Sequence, residues 1–485
     1  MFKKLFLFAV TAFCFYQTQA KVKLPHMICD NMVLQQQTEA RLWGWSKPNK
    51  EIKVSVSWSN DIYTTLANKN GKWLLKVNTP AASYTPLSIT FDDGEQTTIK
   101  NILSGEVWVC AGQSNMEFPI KGFWNCPLEG YNETVSDASS AKGIHYVKIP
   151  STMRMEPQED ADCKWESINI NTINECSAVG YFFARVMKRT LDIPVGLILA
   201  NKGGSRVESW LDKENLKKYT KEPLDSTNII KKYSTYDYLR PLVWGNGTFH
   251  PILNYTIKGI LFYQGCSNVG DPGNKYSDNL KLLVEQWRRD FKLGEIPFYF
   301  VQIAPYYQDA EGKNGISGAL LREQQIRAAD IIPNSDIVCT NDLVYPFEWS
   351  QIHPRNKKTV GERLAYIALN HNYGIKNLWC ESMRYQDMTI SNDTCYVRLT
   401  NNYGGVSRFE NIEGFEVAGA DRVFHKATAQ HYWKAGNDPK NETIAVYSSE
   451  VKNPVAVRYC FRNFQLGNLK NCAMLPLLPF RTDNW

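Results

Sequence analysis

From Ile102 onward, short and mostly apolar runs recur between amphipathic helical segments, and this alternation constrains the fold more than any other feature of the chain. The runs are Val107 to Cys110, Val195 to Ala200, Ile257 to Tyr263, Phe298 to Ile303 and Asp336 to Thr340. They are too brief for buried helices and lack the polar alternation of a strand wetted on one face. They read as strands covered on both sides. Leu280, Leu283, Val284, Trp287 and Phe291 fall on one face of a helix over Tyr276 to Phe291, and Val360, Leu364, Ile367 and Ala368 do the same after Lys358. Such alternation predicts a parallel sheet between helical layers, an α/β/α sandwich. Ligands of these sheets bind beyond the carboxyl ends of the strands.

That rule directs attention to the residue just after each strand. Gly112-Gln113-Ser114-Asn115 follows the first, Asn201-Lys-Gly-Gly-Ser205 the second and Gln264-Gly-Cys-Ser-Asn268 the third, while Gln351-Ile-His353-Pro lies beyond the fifth. A serine at such a turn is usually only a turn former. Its company makes Ser114 a candidate nucleophile, because acyl transfer needs a base within hydrogen-bond reach and donors for the developing oxyanion. His353 is the one histidine of seven expected at this edge; His26, His145, His371, His425 and His431 read as structural, and His250 as a possible substrate contact. The expected oxyanion donors are the backbone amides of Ser114 and Gly204 and the side-chain amide of Asn268.

Four stretches together carry a family resemblance: Gly112-Gln-Ser-Asn-Met116, Asn201-Lys-Gly-Gly-Ser205, Tyr263-Gln-Gly-Cys-Ser-Asn268 and Ile352-His-Pro-Arg-Asn-Lys357. With Arg458-Tyr459 and Pro479-Phe-Arg-Thr-Asp483, they resemble the sialate O-acetylesterase family of SGNH hydrolases over nearly the whole chain after residue 20. The resemblance implies a serine esterase acting on O-acetylated sialic acids, with Ser114 as nucleophile, His353 as base, and Gly204 and Asn268 in the oxyanion hole. Gln113 and Gln351 are expected to orient the site. Two positions depart from the family pattern. Cys266 stands where the family usually has Glu, and Gln351 where it has the Asp that supports the histidine. Glu348 is the expected replacement acid and Asp342 the second candidate; the remaining option is a Ser-His dyad.

The flanks read differently. Residues 21–101 show short alternating runs such as Ile52-Lys-Val-Ser-Val-Ser-Trp58, punctuated by Asn70-Gly71 and Asp93-Gly94, and predict an antiparallel β-sandwich with Trp43, Trp45 and Trp58 in its core rather than on a sugar. Alternation returns over 376–485, a second β-domain whose Pro-rich and aromatic terminus is expected to dock on a neighbour, leaving 102–375 as the catalytic domain. Segments 159–170 and 211–251 read as loop-rich insertions that shape a pocket.

Residues 1–20, with Lys3 and Lys4 before an apolar segment from Leu5 to Phe15, predict a signal peptide cleaved after Ala20, hence a secreted or periplasmic protein with no membrane span. Eleven of the twelve cysteines follow that site, with no close pair or HExxH cluster, so neither a metal nor another cofactor is expected. The net charge of +6 is dispersed and gives no case for nucleic acid. The expected partner is O-acetylated sialic acid or another acetylated glycan such as acetyl-xylan; the competing class is a carbohydrate-binding protein with a degraded site. Glycosylation sequons at Asn132 and Asn441 matter only in a eukaryotic host.

Overall fold

In a computed structural model that describes residues 21–308, 311–433 and 442–485, a twisted sheet runs through the middle of the chain. The expected signal peptide and Asn441 lie outside the described residues. The central strands lie in the order Ser335–Val338, Phe298–Val301, Gly259–Tyr263, Gln96–Gly112, Val195–Asn201 and Ile144–Lys148, every neighbouring pair parallel. All five expected strands are present. The sixth, Ile144–Lys148, carries His145 and Tyr146 in a run otherwise too polar to signal a strand. Its antiparallel neighbour Trp165–Ser167 lies within a segment expected to be a loop.

The pleat explains how the apolar runs are used. Val107, Val109 and Ala111 join a core with Leu280, Leu283 and Trp287, whereas Trp108 and Cys110 join an opposite core with Phe183, Leu364 and Ala368. Helices Lys275–Phe291 and Ser317–Ile331 therefore cover one face, and Ala178–Leu191 and Lys358–Asn372 the other. This is the mostly parallel sheet with helices on both faces that the periodicity predicts.

The strand Gln96–Gly112 is 17 residues long and crosses the expected boundary at 101–102 without a break. Its first part pairs antiparallel with Ser83–Asp92 and parallel with Val33–Gln35, and its second part enters the central sheet. Glu51–Val56 and Ile62–Leu66 extend the same hydrogen-bonded array, while Glu39–Trp45 pairs with Lys72–Asn78. Toward the other end of the chain lie two four-stranded antiparallel sheets. The terminus docks as expected: Phe480 pairs with Tyr459, Asp483 takes a two-pronged hydrogen bond from Arg458, and Arg481 reaches Glu323 on the helix Ser317–Ile331. Among the described residues all eleven cysteines are free, and no helix is long and apolar enough to cross a membrane.

Candidate active site

Gly112 ends the central strand with φ +137°, and a Cβ there would lie 2.3 Å from the carbonyl oxygen of Tyr263. Only glycine lets the chain leave the sheet so close to its neighbour. Gln113 then holds the turn, its backbone N–H donating to Tyr263 O at 2.9 Å and its Oε1 accepting from Gly265 N–H at 2.7 Å. A single helical turn, Ser114–Glu117, begins at the serine. Ser114 Oγ lies 2.7 Å from His353 Nε2, although 239 residues separate the two in the chain.

His353 is half-buried, edge-on to Phe123 with ring centroids 5.2 Å apart and tilted against Phe118 at 6.5 Å. Its backbone N–H donates to Gln351 Oε1 at 3.1 Å, so Gln351 shapes the loop through the main chain. Burial first, and the nearby positive charge of Lys357 second, push the imidazolium down to about 4. At neutral pH the ring is therefore neutral, the state in which it can accept a proton from a hydroxyl.

Lys357, whose importance is not evident from sequence, is buried behind this pair. Its Nζ donates to Asn115 Oδ1 at 2.6 Å, and Asn115 Nδ2 donates to Ile352 O at 3.0 Å. Asn115 thus ties the serine turn to the histidine loop. No carboxylate pairs with Lys357 among the described residues, and burial pushes its ammonium down to about 7. The available signal is positional, since Lys357 caps the amino end of Lys358–Asn372, where the helix dipole disfavours a cation.

The turn after the second expected strand abuts the serine: a Cβ on Gly203 would lie 3.5 Å from Ser114 Cβ, and Gly203 N–H donates to Glu117 Oε2 at 2.8 Å. Gly204 has φ +75°, and Tyr238 from the insertion packs so closely that a Cβ on Gly204 would meet its ring at 2.5 Å. The backbone N–H groups of Ser114 and Gly204 have no acceptor among the described residues. One free donor thus belongs to the nucleophile residue itself, and the other follows the glycine that abuts it.

Three expectations need correction. Asn268 gives its amide protons to Glu208 and Asp271, each at 3.0 Å, and its Oδ1 accepts from Val207 N–H and Gln264 Nε2, so it braces the loop instead of offering a donor to substrate. Glu348 is buried, but its oxygens accept from the backbone N–H groups of Tyr345 and Arg355; it caps its own short helical turn and does not reach His353. Asp342 is held by Arg363 and Lys470. Among the described residues no carboxylate bonds to or ion-pairs with His353. Cys266, its thiol pushed up to about 11 by burial, supplies no charge either. His250 donates its Nδ1–H to Gln158 O at 2.6 Å and lines a separate groove of about 760 Å³ with Trp43, Trp210 and Trp287.

The model of the carbohydrate esterase family described as sialic acid-specific acetylesterase matches residues 104–370, more than half of the 485 residues. The chain belongs to this family. It is an O-acetylesterase of carbohydrates, and relatives agree over long spans. Human sialate O-acetylesterase is 27% identical over 397 residues, covering 73% of this chain and 72% of its own, and the mouse enzyme is 25% identical with 93% and 92% covered. The crystal structure of XAC1771, titled a novel carbohydrate acetylesterase from Xanthomonas citri, superposes with a TM-score of 0.83 at 29% identity, covering 96% of this chain and all of that one.

Proposed function

We propose that the esterase removes O-acetyl groups from sialic acids through an acetyl-Ser114 intermediate, using a Ser-His dyad on an SGNH-type scaffold. The observation that carries this reading is the 2.7 Å contact between Ser114 Oγ and a neutral His353 Nε2. Ser114 Oγ attacks the acetyl carbonyl carbon while its proton passes to Nε2, and the carbonyl oxygen takes the negative charge toward the N–H groups of Ser114 and Gly204. Collapse breaks the bond to the sugar oxygen, which leaves with the proton from Nε2. Water then attacks the acetyl-serine, giving up a proton to the same nitrogen; collapse breaks the bond to Ser114 Oγ, which takes that proton back from Nε2, and acetic acid leaves and ionises to acetate.

His353 works without a carboxylate partner in this reading; the aromatic walls and Gln351 hold it, and its low basicity keeps it available as a base. Sialic acid is favoured over neutral glycans by Lys202, a cation beside Gly203 with no carboxylate partner among the described residues and its ammonium 4.9 Å from the Trp244 ring centroid. It suits the sugar's carboxylate. The test is acetate release from O-acetylated sialic acid and from acetyl-xylan. Lys202→Ala is expected to raise KM for the sialic acid roughly tenfold or more, the scale of a charged hydrogen bond, and to leave the xylan unchanged. Equal effects on both substrates, or preference for the xylan by the parent enzyme, would reject the sialic acid assignment.

The reading keeps the units 21–101, 102–375 and 376–485, the first two joined through the continuous strand Gln96–Gly112, and export after cleavage at Ala20. The amino-terminal sequence of protein recovered from the extracytoplasmic fraction tests the cleavage.

A further inference from the structure

The aromatic rings exposed on this protein are not evenly scattered. Among the described residues nine aromatic side chains are exposed, and five of them, Trp124, Tyr236, Tyr345, Phe347 and Trp349, stand on the segments 119–130, 236–240 and 345–355 that wall the pair Ser114 and His353. Tyr236 lies edge-on to Tyr238, the ring packed over Gly204, with 5.9 Å between centroids. Tyr345, Phe347 and Trp349 precede His353 in its own loop. Trp124 follows Phe123, whose ring packs against His353. No exposed Leu, Ile, Val or Met lies on these three segments.

Trp124 is the sharpest case, 91% exposed on a segment that is firmly held. Phe123 and Cys126 exchange both backbone hydrogen bonds at 3.0 Å, so Trp124 and Asn125 form the tip of a tight turn, with Asn125 in the left-handed region at φ +54° that asparagine tolerates. Cys126 Sγ–H donates to His353 O at 3.3 Å. Farther along, Glu129 N–H donates to Arg355 O at 3.1 Å and Glu129 Oε1 accepts from Tyr345 OH at 3.0 Å, which laces the segment to the histidine loop a second time. The rings of that loop are backed by cations: the Arg355 guanidinium carbon lies 4.7 Å from the Phe347 centroid and 5.4 Å from that of Tyr345, and Lys313 Nζ lies 3.9 Å over Trp349. Rings held in place in this way have little freedom left to lose when a ligand covers them. An exposed aromatic cluster of this kind marks a binding surface.

We propose that Trp124 and Phe347, with the neighbouring rings, form a subsite for the sugar residues beyond the acetylated one, so that the esterase acts on acetyl groups carried by glycan chains in preference to free acetylated monosaccharides. The inference rests on the site proposed at Ser114 and His353, but not on which sugar bears the acetyl group. A pyranose lays its C–H face on an aromatic ring while its hydroxyls reach polar groups at the ring's edge, and Asn125, Glu129 and Arg355 lie in the same segments as the rings. A protein partner would be met by aliphatic side chains as well, and these segments expose none. Phe123 touches the catalytic histidine and Trp124 is the next residue outward, so a chain that leaves the acetylated sugar on the histidine side runs over the indole.

The test compares kcat/KM for an acetylated sugar alone with that for the same sugar in a chain: O-acetylated sialic acid against its sialyl-oligosaccharide, and acetyl-xylose against acetyl-xylo-oligosaccharides. In the series it accepts, the parent enzyme is expected to favour the chain by roughly tenfold or more, mainly through a lower KM. Trp124→Ala and Phe347→Ala should each cut that ratio by roughly two- to tenfold, the scale of one ring contact, and Trp124→Phe should keep most of it. The readout is a ratio, so a change that merely disturbs His353 lowers both members of a pair alike. An unchanged ratio in both alanine variants overturns the proposal, and so does a parent enzyme that does not favour the chain. Failure of the sialic acid assignment reads differently: the parent then prefers the xylan series, while the preference for the chain and its loss in Trp124→Ala persist there and support the subsite.

Discussion

Two buried cations on one stretch of chain meet opposite fates. Arg363 and Lys357 are six residues apart, and both are nearly sealed from solvent. Burial works against the charge of each. At Arg363, Asp342 answers with a two-pronged ion pair whose charge and hydrogen bonds outweigh that penalty and raise the guanidinium. At Lys357 the acceptor is the neutral oxygen of Asn115, and the ammonium falls to about 7. The scaffold side of the helix is thus charge-balanced, and the side facing Ser114 is deliberately poor in counter-charge. The difference bears on the missing acid: Asp342, a candidate partner for His353, is already engaged by Arg363, and burial first, with the positive charge at Lys357 second, holds His353 neutral.

The strongest way to break this picture is at the serine. Ser114→Ala is expected to cut turnover by about 10⁴-fold or more, the scale of losing a nucleophile that acts as a unit with its base, while leaving Tm unchanged. A folded variant with normal acetate release would remove Ser114 from the chemistry.

Next in size is the contrast between the two cations themselves. Asp342→Asn leaves Arg363 buried and unpaired and is expected to cost about 3 to 5 kcal/mol in denaturant unfolding. Lys357→Met removes an uncompensated charge, so stability should hold or rise while kcat/KM falls by roughly 10- to 100-fold through loss of the Asn115 tie. Equal destabilisation by both changes would contradict the assigned asymmetry.

The pH profile sharpens the electrostatic half. A base works when unprotonated, so with His353 near 4 the parent enzyme should keep its activity down to about pH 5 and lose it as pH falls through about 4. Lys357→Met removes one of the two causes of that depression, and the acid limb of kcat/KM should move upward in pH. Burial, the larger cause, remains, so the limb should stop short of the free histidine value near 6.5. An unmoved limb would mean that the lysine charge does not reach the imidazole.

The smallest effect is expected at Glu348. Glu348→Gln keeps a side-chain oxygen for capping and should change turnover by less than about tenfold, against about 10⁴ for neutralising a true triad carboxylate. A loss of orders of magnitude with native Tm would restore Glu348 as the acid.

The sheet, both helices read from periodicity and the pairing of Ser114 with His353 were legible because each leaves a local trace: an apolar run, a 3.6-residue period, or a glycine-rich turn after a strand. Ile144–Lys148 was not legible, since His145 and Tyr146 are buried by neighbours that only the fold supplies. Asn268 and Glu348 were misread for a related reason. Residue type shows that an amide or a carboxylate can serve a site, but not which competing partner takes it first.

Taken alone, the sequence determines the layered α/β core and the edge at which chemistry gathers, because hydrophobic burial and strand-end geometry follow from periodicity within short windows. Only the tertiary structure decides how charges are shared, because a buried carboxylate, amide or ammonium responds to whichever group stands within about 4 Å of it, whatever its distance along the chain. Asp342 with Arg363, Asn268 with Glu208 and Asp271, and Lys357 with Asn115 are all settled at that range.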